Sequence, residues 1–114
     1  MSYQRELLKG NTDSLLLYLL SCQPMYGYQI IKELEGRSQG YFSFKEGTLY
    51  PVLHRLEKEG LISGEWRVLD SGRQRKYYSI TEKGLAVMEE RRGQWREFYT
   101  AVAMITRLPQ TDMG

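Results

Sequence analysis

The sequence predicts a mainly α-helical fold that carries one small β-hairpin. Three observations lead there. Apolar residues recur at helical spacing through the first half of the chain, an aromatic and β-branched stretch follows that is split by a glycine turn, and the last third returns to helical spacing. At 114 residues the chain has the size of one domain and can bury a single core without disulfide or metal staples.

A first helix is expected from about Gln4 to Ser21, on Leu7, Leu8, Leu15, Leu16, Leu19 and Leu20. The stretch "GNTD" at Gly10 to Asp13 weakens its middle, and Pro24 ends it by withholding a backbone donor. A second helix is expected from Gly27 to Leu34 on Ile30, Ile31 and Leu34, until "EGRSQG" breaks it. A third begins near Glu46 and ends at Gly60, the residue type favoured just past a helix C-terminus. "LISGEWRVL" and "RKYYSI" read as two strands around the turn "DSGRQ", Asp70 to Gln74. Thr81 then caps a long fourth helix, with Glu82 at its positive end, which Pro109 stops. Three helices followed by a hairpin is the order of a winged helix-turn-helix, whose third helix enters the major groove of DNA while the hairpin flanks it.

Composition narrows the function classes without choosing one. The net charge is only +2, so a nucleic-acid role has to rest on where the cations cluster. A single cysteine, Cys22, excludes an internal disulfide and fits a reducing compartment. The start "MSYQRELLKG" has no apolar signal region and "LLLYLL" is too short to span a bilayer, so a cytoplasmic protein without membrane contact is expected. An enzyme is not expected: there is one histidine, His54, with no phosphate-cradling glycine motif, no metal-ligand spacing and no nucleophile beside a base. Neither a metal nor a cofactor is expected.

The third helix holds the most informative pattern, "KEGTLYPVLHRLEKEGLI" from Lys45. At the α-helical period Leu49, Val52, Leu53 and Leu56 form a buried stripe. The opposite face carries Gly47, Pro51, His54 and Lys58, with Thr48 and Arg55 on one flank and Tyr50 on the other. Pro51 is therefore expected to be exposed, and close enough to the start of the helix to cost little. Presented to DNA, this face would set Lys45, Thr48, Tyr50 and Pro51 against phosphates or base edges and His54 and Arg55 within the groove. A solvated face with a tolerated proline accounts for the same pattern. Arg73, Arg75 and Lys76 make a positive hairpin tip suited to a phosphate backbone or minor groove, although a basic surface loop reads the same way.

"YGYQI" at Tyr26 to Ile30, "EGTLYPVLHRLEKEGLI" at Glu46 to Ile62 and "RQRKYYSITEKG" at Arg73 to Gly84 together resemble the PadR-like transcriptional regulators, in the same order and spacing, over about Glu6 to Tyr99. The resemblance implies a winged helix-turn-helix, a C-terminal helix used for homodimerisation, and repression at a palindromic operator in double-stranded DNA. Gly47, Thr48, Tyr50 and Pro51 match the family's pattern at the start of the recognition helix. Tyr77 and Tyr78 match its paired wing tyrosines, one expected inward and one outward by strand alternation. With one helix after the wing, the chain resembles the family's short subgroup.

The resulting division is residues 1–81 as the DNA-binding domain, 82–107 as the dimerisation helix and 108–114 as a flexible tail. Met88, Trp95 and Val102 recur every seven residues with Phe98 and Ile105 at the matching offset, and Leu85 precedes them. A lone helix cannot bury that stripe, so pairing of two copies is expected, with recognition helices roughly 34 Å apart. In multidrug-responsive members of the short subgroup a tryptophan at the place of Trp95 lines an aromatic pocket. Trp95, with Phe98 and Tyr99, is thus either a site for a small aromatic effector or plain packing of the seam. Trp66 is expected to pack on the hairpin. The rival to the whole reading is a winged-helix protein-interaction module that does not bind DNA.

Overall fold

The computed structural model describes residues 11–107. Among them lie helices α1 (Thr12–Cys22), α2 (Gly27–Arg37), α3 (Glu46–Lys58) and α4 (Glu82–Thr106), and strands β1 (Met25–Tyr26), β2 (Ile62–Val68) and β3 (Gln74–Ile80). The expected start of the first helix near Gln4, its Leu7 and Leu8, the stop at Pro109 and the tail 108–114 lie outside the described residues. α2 runs three residues past the expected Leu34, through Gly36 to Arg37. Among the described residues no helix is long and apolar enough to cross a membrane.

The hairpin forms in the expected place, but the sheet has a third strand. β1 pairs antiparallel with β3, with Met25 opposite Tyr78 and Tyr26 opposite Tyr77, giving the order β1-β3-β2. Two residues between a proline and a helix show no period, so β1 left no signal in the sequence. Its cause is tertiary: β3 offers its second edge, and Pro24 keeps Gln23 extended on the approach.

The core is one cluster to which nearly every element contributes: Leu16 and Leu17 from α1, Met25 from β1, Ile30 from α2, Leu49, Leu53 and Leu56 from α3, and Ile62 from β2 are fully buried. Burying each such side chain contributes about 1.5–3 kcal/mol. Val52, expected in the buried stripe of α3, is only half-buried at its edge.

The C-terminus of α3 is closed by paired bonds in which Gly60 N–H donates to the Glu57 carbonyl at 3.0 Å and Leu61 N–H to the Leu56 carbonyl at 3.0 Å. The geometry requires a left-handed residue, and Gly60 supplies it at φ +79°. The start of α4 is bolted to this corner. Thr81 N–H donates to the Leu61 carbonyl at 3.1 Å, and the Thr81 hydroxyl donates to the Gly60 carbonyl at 2.7 Å while accepting Gly84 N–H at 3.1 Å. A Cβ at Gly84 would overlap the Leu61 carbonyl, so only glycine allows this approach.

Pro51 is exposed, as expected, but it lies deeper in the helix than a cost-free proline should. The first α-type bond of α3 is Leu49 N–H to the Lys45 carbonyl, and Pro51 is the sixth helical residue. It therefore denies the Gly47 carbonyl its helical donor.

Candidate nucleic-acid interface

α3 sorts its side chains as its period requires. Leu49, Leu53 and Leu56 are sealed in the core, while Lys45, Gly47, Thr48, Pro51 and His54 are exposed together along the other side. Tyr50 departs from the expected outward set. It is half-buried, with its ring lodged where a Cβ of Gly27 would stand. Burial and the neighbouring Glu46 charge push its phenol above the usual tyrosine range. Gly27 and Tyr50, from two of the motifs, are thus a matched pair that seats α3 on α2.

Arg55 was expected in the groove; the structure turns it toward α1. One guanidinium nitrogen meets Asp13 Oδ1 at 2.6 Å and another Glu59 Oε1 at 2.7 Å, and these carboxylates raise its pKa. Lys76 was expected at the hairpin tip and is likewise drawn inward. Its Nζ donates to Glu57 Oε1 at 2.9 Å, while Glu57 Oε2 accepts Gly64 N–H at 3.0 Å. Bonding to Lys76 holds the Glu57 carboxyl below its ordinary value and raises the Lys76 ammonium. Strand alternation carries the reason. Lys76 shares a sheet face with Tyr78, which is buried, whereas Arg75 and Tyr77 point the other way.

That outward face holds a stack of alternating character. The Arg67 guanidinium lies 4.3 Å from the centre of the Tyr77 ring, Tyr77 meets Tyr26 edge-on at 5.5 Å, and Arg75 lies 4.0 Å from the Tyr26 ring. Arg73 is exposed at the loop, where Gly72 at φ +86° makes the turn. The outward cations of the hairpin are therefore Arg67, Arg73 and Arg75, and Arg67 was missed because it sits on the other strand. The register places it opposite Arg75. Trp66 was expected to pack and is instead 63% exposed, on the edge strand.

Along α4 the expected apolar stripe splits by depth. Met88, expected in a seam between copies, is buried in this protomer's own core. Leu85 is exposed at the core's margin, Val102 is half-buried, and Phe98, Tyr99 and Ile105 are exposed beyond the globular part. Trp95 is half-buried, and its indole N–H donates to Asn11 Oδ1 at 3.0 Å. A groove of about 520 Å³ opens there, lined by Asn11, Ser14, Val87, Glu90, Arg91, Gln94 and Trp95. It contains Trp95 but neither Phe98 nor Tyr99.

The sequence model of the transcriptional regulator PadR-like family matches residues 16–90. A transcriptional regulator of Mycobacterium tuberculosis is 36% identical over 88 residues, 77% of this chain and 78% of that protein. Among solved structures, a PadR-like transcriptional regulator of Bacillus cereus aligns with a TM-score of 0.79 at 36% identity, over 91% of this chain and 99% of that one. A PadR family regulator of Eggerthella lenta aligns at 0.76 and 35%, over 91% and 88%. The three motifs, the α3 face and these matches agree, and the chain belongs to the PadR-like family: it is a transcriptional regulator and not an enzyme.

Proposed function

We propose that the chain binds double-stranded DNA sequence-specifically as a cytoplasmic homodimer and represses transcription at a palindromic operator until a small aromatic effector releases it. The observation that carries this reading is the two-sidedness of α3: three leucines fully buried, and Lys45, Thr48, Pro51 and His54 exposed in a row on the other side, beside a hairpin bearing three outward arginines. Arg67 and Arg75 also stack on Tyr77 and Tyr26, whereas Arg73 stands exposed at the loop. Residues 1–81 serve as the DNA-binding unit. Residues 82–107 pair two copies through Leu85, Trp95, Phe98, Val102 and Ile105, so that each recognition helix meets one half of the operator.

The groove beside Trp95 supports the effector. An indole already held by Asn11 offers a ring face, and polar groups from two helices could orient a planar ligand against it. In a Trp66→Phe background, where Trp95 is the sole tryptophan, quenching of its fluorescence by candidate aromatics reads this directly.

Affinity for the protein's own upstream DNA at several salt concentrations tests the main reading. The log-log slope should be about −0.9 per phosphate neutralised. Thr48→Ala or His54→Ala should relax sequence preference, and Arg73→Ala should flatten the slope. If the intact protein fails to distinguish its upstream fragment from random duplex, the protein-interaction reading replaces this one.

A further inference from the structure

We infer that Glu57 is the positioning residue of the DNA wing: it holds Lys76 and the Gly64 amide so that the hairpin arginines stand at a set distance from the base-reading face of α3. The inference rests on the DNA-binding reading and adds to it a residue that touches no DNA.

On the face turned toward α3, only the base of the hairpin is anchored by apolar packing. Ile62 and Tyr78 are buried, whereas Trp66 is 63% and Val68 70% exposed. Glu57 grips the hairpin where that packing ends. One carboxylate oxygen takes the Lys76 ammonium of β3 and the other takes Gly64 N–H of β2, so a single side chain of α3 holds both strands. A Cβ on Gly64 would overlap the end of the Lys76 side chain and crowd the Glu57 carboxylate, so a larger residue there pushes the two apart. Beyond this grip the ladder runs from Trp66↔Lys76 to Val68↔Gln74, roughly 7 Å at strand rise, before the loop that carries Arg73. A small angular error at the grip is enlarged at the tip. Thr48 and His54 stand on the same helix as Glu57, so base reading and wing placement share one rigid element.

Charge makes the assignment sharp. A carboxylate near a polyanion repels it, so an acid on the recognition helix that merely faced solvent would weaken DNA binding. Neutralising it would then tighten binding. A positioning acid gives the reverse sign. Lys76 separates the alternatives in the same way, since a phosphate contact contributes to the salt slope and an internal partner does not.

The test measures affinity and salt slope on the upstream fragment for Glu57→Gln, Lys76→Gln and Gly64→Ala, with Arg73→Ala as the phosphate-contact control. Each of the first three is expected to lose about tenfold in affinity, equivalent to one charge-assisted contact, because the loosened wing has to be ordered on the DNA, where its arginines still make their phosphate contacts and keep the wild-type slope. Arg73→Ala is expected to flatten the slope by about 0.9. Tighter binding by Glu57→Gln, or a flattened slope for Lys76→Gln, overturns the inference. Circular dichroism establishes that each variant is folded, and if Gly64→Ala is not, the two charge variants decide. A second readout needs no DNA. In a Trp95→Phe background, Trp66, whose ring lies 5.9 Å from Lys76 Nζ, is the sole tryptophan. Its fluorescence anisotropy should fall when Glu57→Gln releases the wing. A wild type that binds no DNA sinks the regulatory reading, whereas DNA binding with unchanged anisotropy and affinity in Glu57→Gln sinks this inference alone.

Discussion

Gly84 and Gly93 sit in the same helix under opposite demands. Gly84 has the Leu61 carbonyl where its Cβ would be, and that neighbour is backbone. Gly84→Ala should therefore destabilise by about 1–3 kcal/mol through the shift it forces. Gly93 has open space around its missing Cβ and no special backbone angle, so Gly93→Ala should stabilise by about 0.5–1 kcal/mol. Urea midpoints at constant m-value check both. Glu57 adds a pH dependence. Its folded pKa is depressed, mainly by the bond from Lys76, so its contribution is present above the ordinary carboxylate range and is lost as pH falls through the lower folded value. The stability difference between wild type and Glu57→Gln should accordingly be flat above about pH 5 and shrink below about pH 4. On the alkaline side the raised Lys76 works in the opposite sense. Its contribution holds below the ordinary lysine value and is lost as pH climbs through the higher folded one.

α3 shows both what an element's sequence reveals and where it stops. Its buried stripe, its exposed face and its glycine stop follow from period and capping chemistry, and all three are legible without a structure. The helix start at Glu46 was legible too, but it makes Pro51 the sixth residue, past the first four donors that lack a partner inside the helix, so its cost is larger than expected. Pro51→Ala restores a donor to the Gly47 carbonyl but also loosens the unfolded chain. The net expectation is a gain of about 1–2 kcal/mol, read by urea titration. The long-range carboxylate partners of Arg55 and Lys76 escape a sequence reading for a single reason. Charge runs along the chain record proximity in sequence, whereas Arg55 and Lys76 answer to carboxylates 42 and 19 residues away. Strand alternation puts Lys76 on the face of Tyr78 and Arg75 on the face of Tyr77, but which tyrosine faces inward is settled by tertiary packing and not by the sequence. Asp13 as the partner of Arg55 is not legible either, since it depends on how α1 crosses α3.

At the scale of the molecule, the principal extents of 54 × 30 × 26 Å reflect α4 reaching past the globular part. Phe98 at 63% and Ile105 at 83% exposed lie on that reach, and the proposed pairing of two copies would cover them. Ile105→Glu should leave the helical circular dichroism of the protein intact while shifting sedimentation at micromolar concentration from dimer to monomer. Wild type should also melt at a temperature that rises with concentration, and the variant should not. The corner where Gly60, Leu61, Thr81 and Gly84 meet gives this arrangement a mechanical consequence. With no side chain at Gly84 to act as a cushion, and with one main-chain bond from Thr81 to Leu61 and one from the Thr81 hydroxyl to the Gly60 carbonyl across the joint, α3 and α4 behave as the two arms of one welded bracket. In any twofold pair built on α4, the crossing angle and the point along α4 at which the copies meet set how far apart the two α3 helices stand, a spacing decided at the opposite end of the protein from the faces it separates.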